Sequence, residues 1–327
     1  MSGDARIDSD KAEASAAAMP MVGIVVVSYN SCADILRCLA SLEQLDYPNY
    51  FVVIVDNCSP DSSGRKLLNI SLNDRVAIVC SPENSGFAAA TNVGLHFARA
   101  RGADCLWLLN PDTTVDAQAL SALVNAAADN AEGSAFGSKI LYGSEAGEEV
   151  KIWSAGARID FVNRHIEMCG SGETDRGQYD APYECDYLPG CSLFIRAAVL
   201  DEVGYLPERY FMYFEETDWC VRMRQKSLRL RYVPQSLVWH HFDDRKMQEA
   251  FGVYYYNRNE RFFWFRYGTI TQRFALVTKT LFRDLPRALR ALWYAPDAQL
   301  RAVFRAHTAS AFDFLCGRSG RRVSWTR

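Results

Sequence analysis

The densest group of reactive side chains in the sequence is Phe211-Met-Tyr-Phe-Glu215-Glu216-Thr217-Asp218-Trp219, two adjacent carboxylates and a third two positions on, set among aromatic rings. Carboxylates crowded beside apolar surface desolvate and repel one another, which raises the pKa of one of them and suits it to general-base work. The acidic first turn of a solvated helix would present the same letters, but the rings argue for a lined pocket. Two further groups could hold a cation. Asn110-Pro111-Asp112 ends one apolar run, and Trp239-His240-His241 ends another. A carboxylate beside an amide oxygen suits a divalent ion that bridges a diphosphate, and a histidine at a strand end can serve as a further ligand. A zinc hydrolase would need more His or Cys at close spacing, and none is present.

Earlier in the chain, Ser28-Tyr29-Asn30-Ser31 and Asp56-Asn57-Cys58-Ser59-Pro60-Asp61 terminate two more apolar runs. An acid such as Asp56 at a strand end can accept a hydrogen bond from a base or ribose, or can simply organise a turn. Neither segment reads Gly-x-Gly-x-x-Gly, so the phosphate-wrapping glycines of a dinucleotide site are missing. Asn84-Ser85-Gly86-Phe87-Ala-Ala-Ala90-Thr91-Asn92 places small residues at the start of a helical pattern. There, backbone N–H groups can approach a ligand closely, unless the segment only caps the helix.

These groups need a scaffold that brings strand ends together. Val22–Ser28, Phe51–Val55, Val76–Val79 and Cys105–Leu109 are apolar on successive residues, as strands covered on both faces are. Ser31 with Asp34 predicts a helix start, with Ile35, Leu36, Leu39 and Leu42 on its inner face, and a second helix runs from Ala88 to Arg101. Strands alternating with helices imply an α/β, doubly wound, mostly parallel sheet, whose ligands sit at the carboxyl edge. Residues 143–186 show weak periodicity and receive no assignment. Beyond them come a strand at Ser192–Ile195, helices at Ala197–Val203 and Thr217–Lys226, and separate strands at Arg229–Val233 and Ser236–Trp239, broken by Pro234. Past Asp243 the pattern turns helical, rich in Tyr, Phe, Trp and Arg. The expected units are a disordered leader over residues 1–20, a body over 21–245 and a helical region over 246–327.

The chain has 327 residues, 49% of them hydrophobic and 23% charged, a globular composition with no collagen-like or disordered bias. No apolar run is long enough to span a bilayer. The ten cysteines include no Cys-x-x-Cys pair, and with no secretory signal they read as reduced thiols of a cytoplasmic protein. The net charge of −3 hides a segregation: residues 258–327 carry fourteen Lys/Arg against four Asp/Glu. A basic, aromatic-rich end on an acidic body predicts an anionic partner, either a membrane surface or nucleic acid, or else a packed helical subdomain with a solvated face. The motifs of the body give nucleic acid no support.

Taken in order, the segments from Val22 to His241 resemble a family 2 glycosyltransferase of GT-A fold, nearest to the rhamnosyltransferase-like branch of bacterial surface-polysaccharide synthesis. Each motif is weak alone; their order and spacing make the match specific. The resemblance implies a GT-A sheet with a C-terminal helical extension, and an inverting transferase that uses a dTDP- or UDP-linked sugar with Mg²⁺ or Mn²⁺. It assigns Asp56 to the nucleotide base, with Ser28, Tyr29, Asn30 and Asn57 lining the same site. Asn84, Gly86, Phe87 and Asn92 fall beside nucleotide and sugar, and Asn110 with Asp112 stands where the family has Asp-x-Asp. Asp112 and His240 would hold the metal. Glu216 occupies the position of the base, flanked by Glu215 and Asp218, either of which could take that role, and Arg258 and Asn259 would contact acceptor or phosphate. The resemblance further implies a polyprenyl-diphosphate-linked glycan as acceptor and work at the inner face of the cytoplasmic membrane. Two departures, Asn110 for Asp and Glu216 for Asp, leave room for an alternative: a catalytically silent scaffold in the same pathway.

Overall fold

The computed structural model describes residues 19–69, 73–130, 132–143, 149–241 and 245–322. The chain opens with β1 (Val22–Ser28), α1 (Cys32–Leu42), β2 (Tyr50–Asp56), α2 (Ser63–Leu68), β3 (Val76–Cys80), α3 (Phe87–Ala100) and β4 (Cys105–Leu109). Alternate residues of β1 point to opposite faces, as the pleat requires. Val22, Ile24 and Val26 pack with Ile35, Leu39 and Leu42 of α1, whereas Val25 and Val27 pack with Ala88, Leu95 and Ala98 of α3. Helices on both faces explain why these strands are apolar throughout. Gly94 of α3 sits so close to β1 that a Cβ there would meet Val25 Cγ1 at 2.3 Å.

β5 (Thr113–Val115), α4 (Ala119–Asp129) and β6 (Gly133–Tyr142) follow, then β7 (Ile152–Ser154), β8 (Ala157–Asp160), β9 (His165–Met168), β10 (Tyr183–Cys185), β11 (Ser192–Arg196), α5 (Val199–Val203), α6 (Glu215–Gln225) and β12 (Arg229–His240). The main sheet has the order β10-β12-β6-β11-β4-β1-β2-β3. β4, β1, β2 and β3 run parallel, as do β6 and β12, and β11 is inserted antiparallel between β4 and β6. This mixed, mostly parallel sheet is the predicted architecture. β8 and β9 form a separate two-stranded hairpin.

Three local expectations are corrected. Ser31 makes no side-chain cap on α1; its hydroxyl lies 3.1 Å from Ser28 Oγ and accepts from the Tyr29 N–H. Leu36 is exposed rather than on the inner face of α1. Pro234 does not separate two strands: β12 is continuous, and the proline falls in a register shift between Val233 and Leu237, where its missing N–H costs no ladder bond. The unassigned middle contains β7 to β10, each three or four residues long, too short to carry a periodic signal.

The C-terminal region comprises α7 (Arg245–Gln248), α8 (Ala250–Tyr267), α9 (Ile270–Lys279), α10 (Leu285–Trp293) and α11 (Ala298–Leu315), with a π-helical turn at Thr280–Asp284. α8 is part of the core: Tyr254, Tyr255 and Phe263 are fully buried. Of the expected leader over residues 1–20, residues 1–18 lie outside the described residues, as does the expected boundary near Asp243, whereas Met19 and Pro20 are tied to the body through Asn49 and Tyr47. The ten cysteines are all free.

Candidate active site

At the carboxyl ends of β4 and β12 a cavity of about 420 Å³ opens between the sheet, the β8–β9 hairpin and the start of α6. Asn110, Asp112 and His240 form one wall, and Glu215, Glu216 and Thr217 another. The antiparallel pairing of β5 with β12 sets His240 opposite Thr113, next to Asp112. His240 Nε2 lies 3.2 Å from Asp112 Oδ1 and 3.4 Å from Asn110 Nδ2, with the ring held edge-on by Trp153 at 4.9 Å between centroids. Among the described residues no group of three or more His, Cys, Asp or Glu is placed to hold a metal. A carboxylate oxygen and an imidazole nitrogen that meet at one point fit a cation whose other positions are filled by a phosphate-bearing ligand and water.

The carboxylate wall is built by a strained turn. Phe211, Tyr213 and Phe214 all have positive φ, at 67°, 68° and 74°, a conformation costly for aromatic residues. Asn259 holds this turn by donating through Nδ2 to the carbonyls of Tyr210, Met212 and Tyr213 at 2.8, 2.7 and 3.0 Å. α6 then starts with Glu215 buried and Glu216 at the cavity wall, where its Oε1 accepts from Tyr187 Oη at 3.0 Å. Burial, and then the neighbouring Glu216 charge, push the Glu215 pKa well above the ordinary carboxylate value. Burial also raises Glu216, against the hydrogen bonds from Tyr187 and Glu215 that favour its ionised form.

Both carboxyls therefore hold their protons more tightly in the folded chain than in the unfolded one. Their contribution to stability is greatest below the unfolded pKa and declines as pH rises through the raised folded values. Glu215→Gln keeps the shape without the charge. It is expected to raise the melting temperature above wild type at pH 8 and to leave it unchanged at pH 4, as read by thermal denaturation at the two pH values.

A polar platform lies at the ends of β1 and β2. Asp56 is 5% exposed and accepts from the Ser59 N–H and hydroxyl at 3.2 and 2.6 Å. Ser28 is buried, and Asn30, with φ 53°, donates from its N–H to Ser59 Oγ. Asn57 donates to Asn84 Oδ1 at 3.0 Å and accepts from the Ser85 N–H, while Asn84 also accepts from the Gly86 N–H. Of the residues expected around the nucleotide, Phe87 and Asn110 reach the cavity wall. The first N–H of α3 is not open to a ligand: Phe87 N–H donates to Phe211 O at 2.7 Å.

Four expected site residues lie elsewhere. Asp218 is fully buried one turn into α6, paired with Arg209 and Arg222 at 3.2 Å and hydrogen-bonded to Tyr210, so it has no route to a ligand as a base. Asn92 clamps α3 to the following loop through Leu206, donating to its carbonyl and accepting from its N–H. Arg258 is 1% exposed and donates to Tyr210 O and Gly320 O; with Asn259 it fastens the turn, and neither side chain lines the cavity. The sequence reading missed Tyr187, Trp153 and Gly190. Only Gly190 had a signal, the Pro189-Gly190 turn; a Cβ there would lie 3.3 Å from Glu216 Cγ.

The family model described as Glycosyl transferase family 2 matches residues 23–202. The chain belongs to glycosyl transferase family 2. Relatives of this glycosyltransferase include the dTDP-rhamnosyl transferase RfbF of Shigella flexneri, 21% identical over 68% of this chain and 70% of the relative. The low-salt glycan biosynthesis hexosyltransferase Agl10 of Haloferax volcanii is 22% identical over 73% of each chain. Among solved structures, the mannosyltransferase PcManGT of Pyrobaculum calidifontis, in complex with GDP-Man and Mn²⁺, superposes with a TM-score of 0.56 at 14% identity, covering 92% of this chain and 89% of that one. GalNAc-T7 with UDP, GalNAc and Mn²⁺ gives 0.59 at 17% identity, where this chain spans 56% of the other. At such identities the likeness establishes a shared GT-A fold.

Proposed function

We propose that this glycosyltransferase is an inverting enzyme of surface-polysaccharide assembly. It moves a sugar, rhamnose as first choice, from a dTDP- or UDP-linked donor to a hydroxyl of a lipid-linked glycan. One observation carries the reading: Asp112 and His240, 128 residues apart and 104 and 24 residues from Glu216 in sequence, share one cavity wall-to-wall with Glu216. Glu216 takes the proton from the acceptor hydroxyl, whose oxygen bonds to the anomeric carbon as the bond to the diphosphate breaks on the opposite face. One carboxylate suffices, and no covalent sugar–enzyme intermediate forms. The raised Glu216 pKa favours proton uptake, and the Tyr187 hydrogen bond aims the carboxylate. Asp112 and His240 would hold Mg²⁺ or Mn²⁺, which when bound neutralises charge on the leaving diphosphate. Apolar walls from Phe87, Trp153, Met168 and Tyr213 exclude water around the acceptor.

The place of work is the cytoplasmic face of the membrane. No helix among the described residues is long and apolar enough to cross a bilayer. α9, the π-helical turn and α10 instead turn Phe274, Phe282 and Trp293 outward, 72%, 75% and 83% exposed, beside Arg283 and Arg290. Rings flanked by arginines suit an anionic lipid surface.

The test is melting temperature with dTDP- and UDP-sugars, with and without Mn²⁺, in wild type and Asp112→Asn. A donor that binds the native state raises its stability by mass action. The expected result is a Mn²⁺-dependent stabilisation by one nucleotide class that Asp112→Asn removes. Stabilisation unchanged in Asp112→Asn would overturn the assignment of the metal wall.

A further inference from the structure

A second cavity, of about 510 Å³, lies entirely within the C-terminal helices and the β8–β9 turn and shares no residue with the candidate active site. α8 supplies Asn257, Glu260, Arg261 and Trp264, spaced i, i+3, i+4 and i+7 so that one helix face lines it. Tyr256, one turn before Glu260 on α8, lines the active-site cavity instead. Arg164 enters from the hairpin turn, Lys279 from the end of α9, Arg287 from α10 and His307 from α11.

The charges are not balanced within the cavity. Arg261 is the best anchored cation: it is 12% exposed, donates to Asn257 O at 2.8 Å, and has Asp284 at 3.7 Å. Arg164, Lys279 and Arg287 form no ion pair with any described residue. Two carboxylates, Glu260 and Asp284, therefore face four cations. Like charges converging from four separate elements give the cavity a positive field that favours a polyanion among them. The volume is in the range of pockets that hold small organic ligands.

We propose that this cavity is a binding site for a phosphate-bearing ligand, a phosphate or diphosphate monoester whose oxygens are shared by Arg164, Arg261, Lys279 and Arg287. Charge-assisted bonds to phosphate are strong because both partners are ionised, and several cations around one group hold it without covalent chemistry. Trp264 and Phe304 on the wall leave room for an organic group attached to the phosphate. The site is independent of the transfer reaction and stands or falls separately from it.

The experiment uses the full chain in EDTA, so that metal-dependent binding at Asp112 does not contribute. Inorganic diphosphate is titrated with melting temperature as readout, and in parallel the chain is co-sedimented with phosphatidylcholine vesicles with and without phosphatidic acid. Lys279 and Arg287 are exposed, so Lys279→Gln/Arg287→Gln leaves the fold intact. The expected result is stabilisation by diphosphate, retained in Asp112→Asn and weakened about tenfold or more in Lys279→Gln/Arg287→Gln, the loss of two charge-assisted contacts. Response to diphosphate identifies a soluble phosphate ligand. Response only to phosphatidic acid vesicles identifies a lipid-borne one, provided that Arg301→Gln/Arg305→Gln, which removes equal charge from exposed positions outside the cavity, binds as wild type does. No response to either probe, or an equal response in both double variants, overturns the proposal.

Discussion

Glu216→Gln is expected to reduce sugar transfer by about 10³-fold while leaving Mn²⁺-dependent nucleotide binding as in wild type, because a positioned general base supplies rate enhancement of that order. The amide keeps the hydrogen bond from Tyr187 Oη, 3.0 Å away in the wild type, and so preserves the wall of the cavity. It cannot take a proton. Glu215→Gln, by contrast, changes a buried side chain that assists through its contact with Glu216, and should cost far less. The wild-type pH profile of kcat/KM should show an acid limb above the ordinary carboxylate range, since burial raises the Glu216 pKa. The check is initial rate against pH for the three proteins with the donor found by thermal shift. Transfer by Glu216→Gln within tenfold of wild type would remove Glu216 from the role of base.

The second large effect is structural and reaches the site indirectly. Gly86 has φ 87° and ψ 171°, a region that side chains other than hydrogen essentially do not enter. A Cβ there would stand 2.3 Å from Phe211 O, the same oxygen that receives the Phe87 N–H. Gly86→Ala therefore combines backbone strain with the loss of the bond that joins α3 to the turn before Glu215. A destabilisation of about 3 kcal/mol or more is expected in urea denaturation. Transfer activity should fall even at temperatures where the variant is folded, because the turn that presents Glu215 and Glu216 is displaced. A stability within 1 kcal/mol of wild type, by the usual tolerance of exposed sites, would mean that the contact is not made in solution.

Gly86 also shows where reading by letters misleads. Its small size reads as room for a ligand at the start of a helix, yet the room is taken by Phe211 O from 125 residues further on. Arg258 and Asn259 mislead in the same way. A buried cation and amide after a run of tyrosines resemble phosphate contacts, but three carbonyls of a left-handed turn occupy Asn259. Asp218 sits two residues from Glu216, so its side chain points to another side of the helix, where Arg209 and Arg222 receive it.

What could be read from the letters was what depends on short range. Runs such as Val22–Ser28 and Cys105–Leu109 declared strands covered on both faces, and the helices between them implied a parallel sheet with its polar ends gathered at one edge. Asn110, Asp112, Glu215, Glu216 and His240 could be singled out because polar groups follow immediately on apolar runs or sit among rings. Tertiary structure alone decided which of them meet. Asp112 reaches His240 only because β5 pairs with β12 across more than a hundred residues, and Glu216 reaches the same cavity only because Asn259 holds a strained turn in place. Tyr187 and Trp153 carry no local signal, since their roles arise from neighbours distant in the chain. Periodicity reports the environment of an element, whereas a site is a set of long-range contacts, and those are set by packing and by the hydrogen bonds that buried backbone must find.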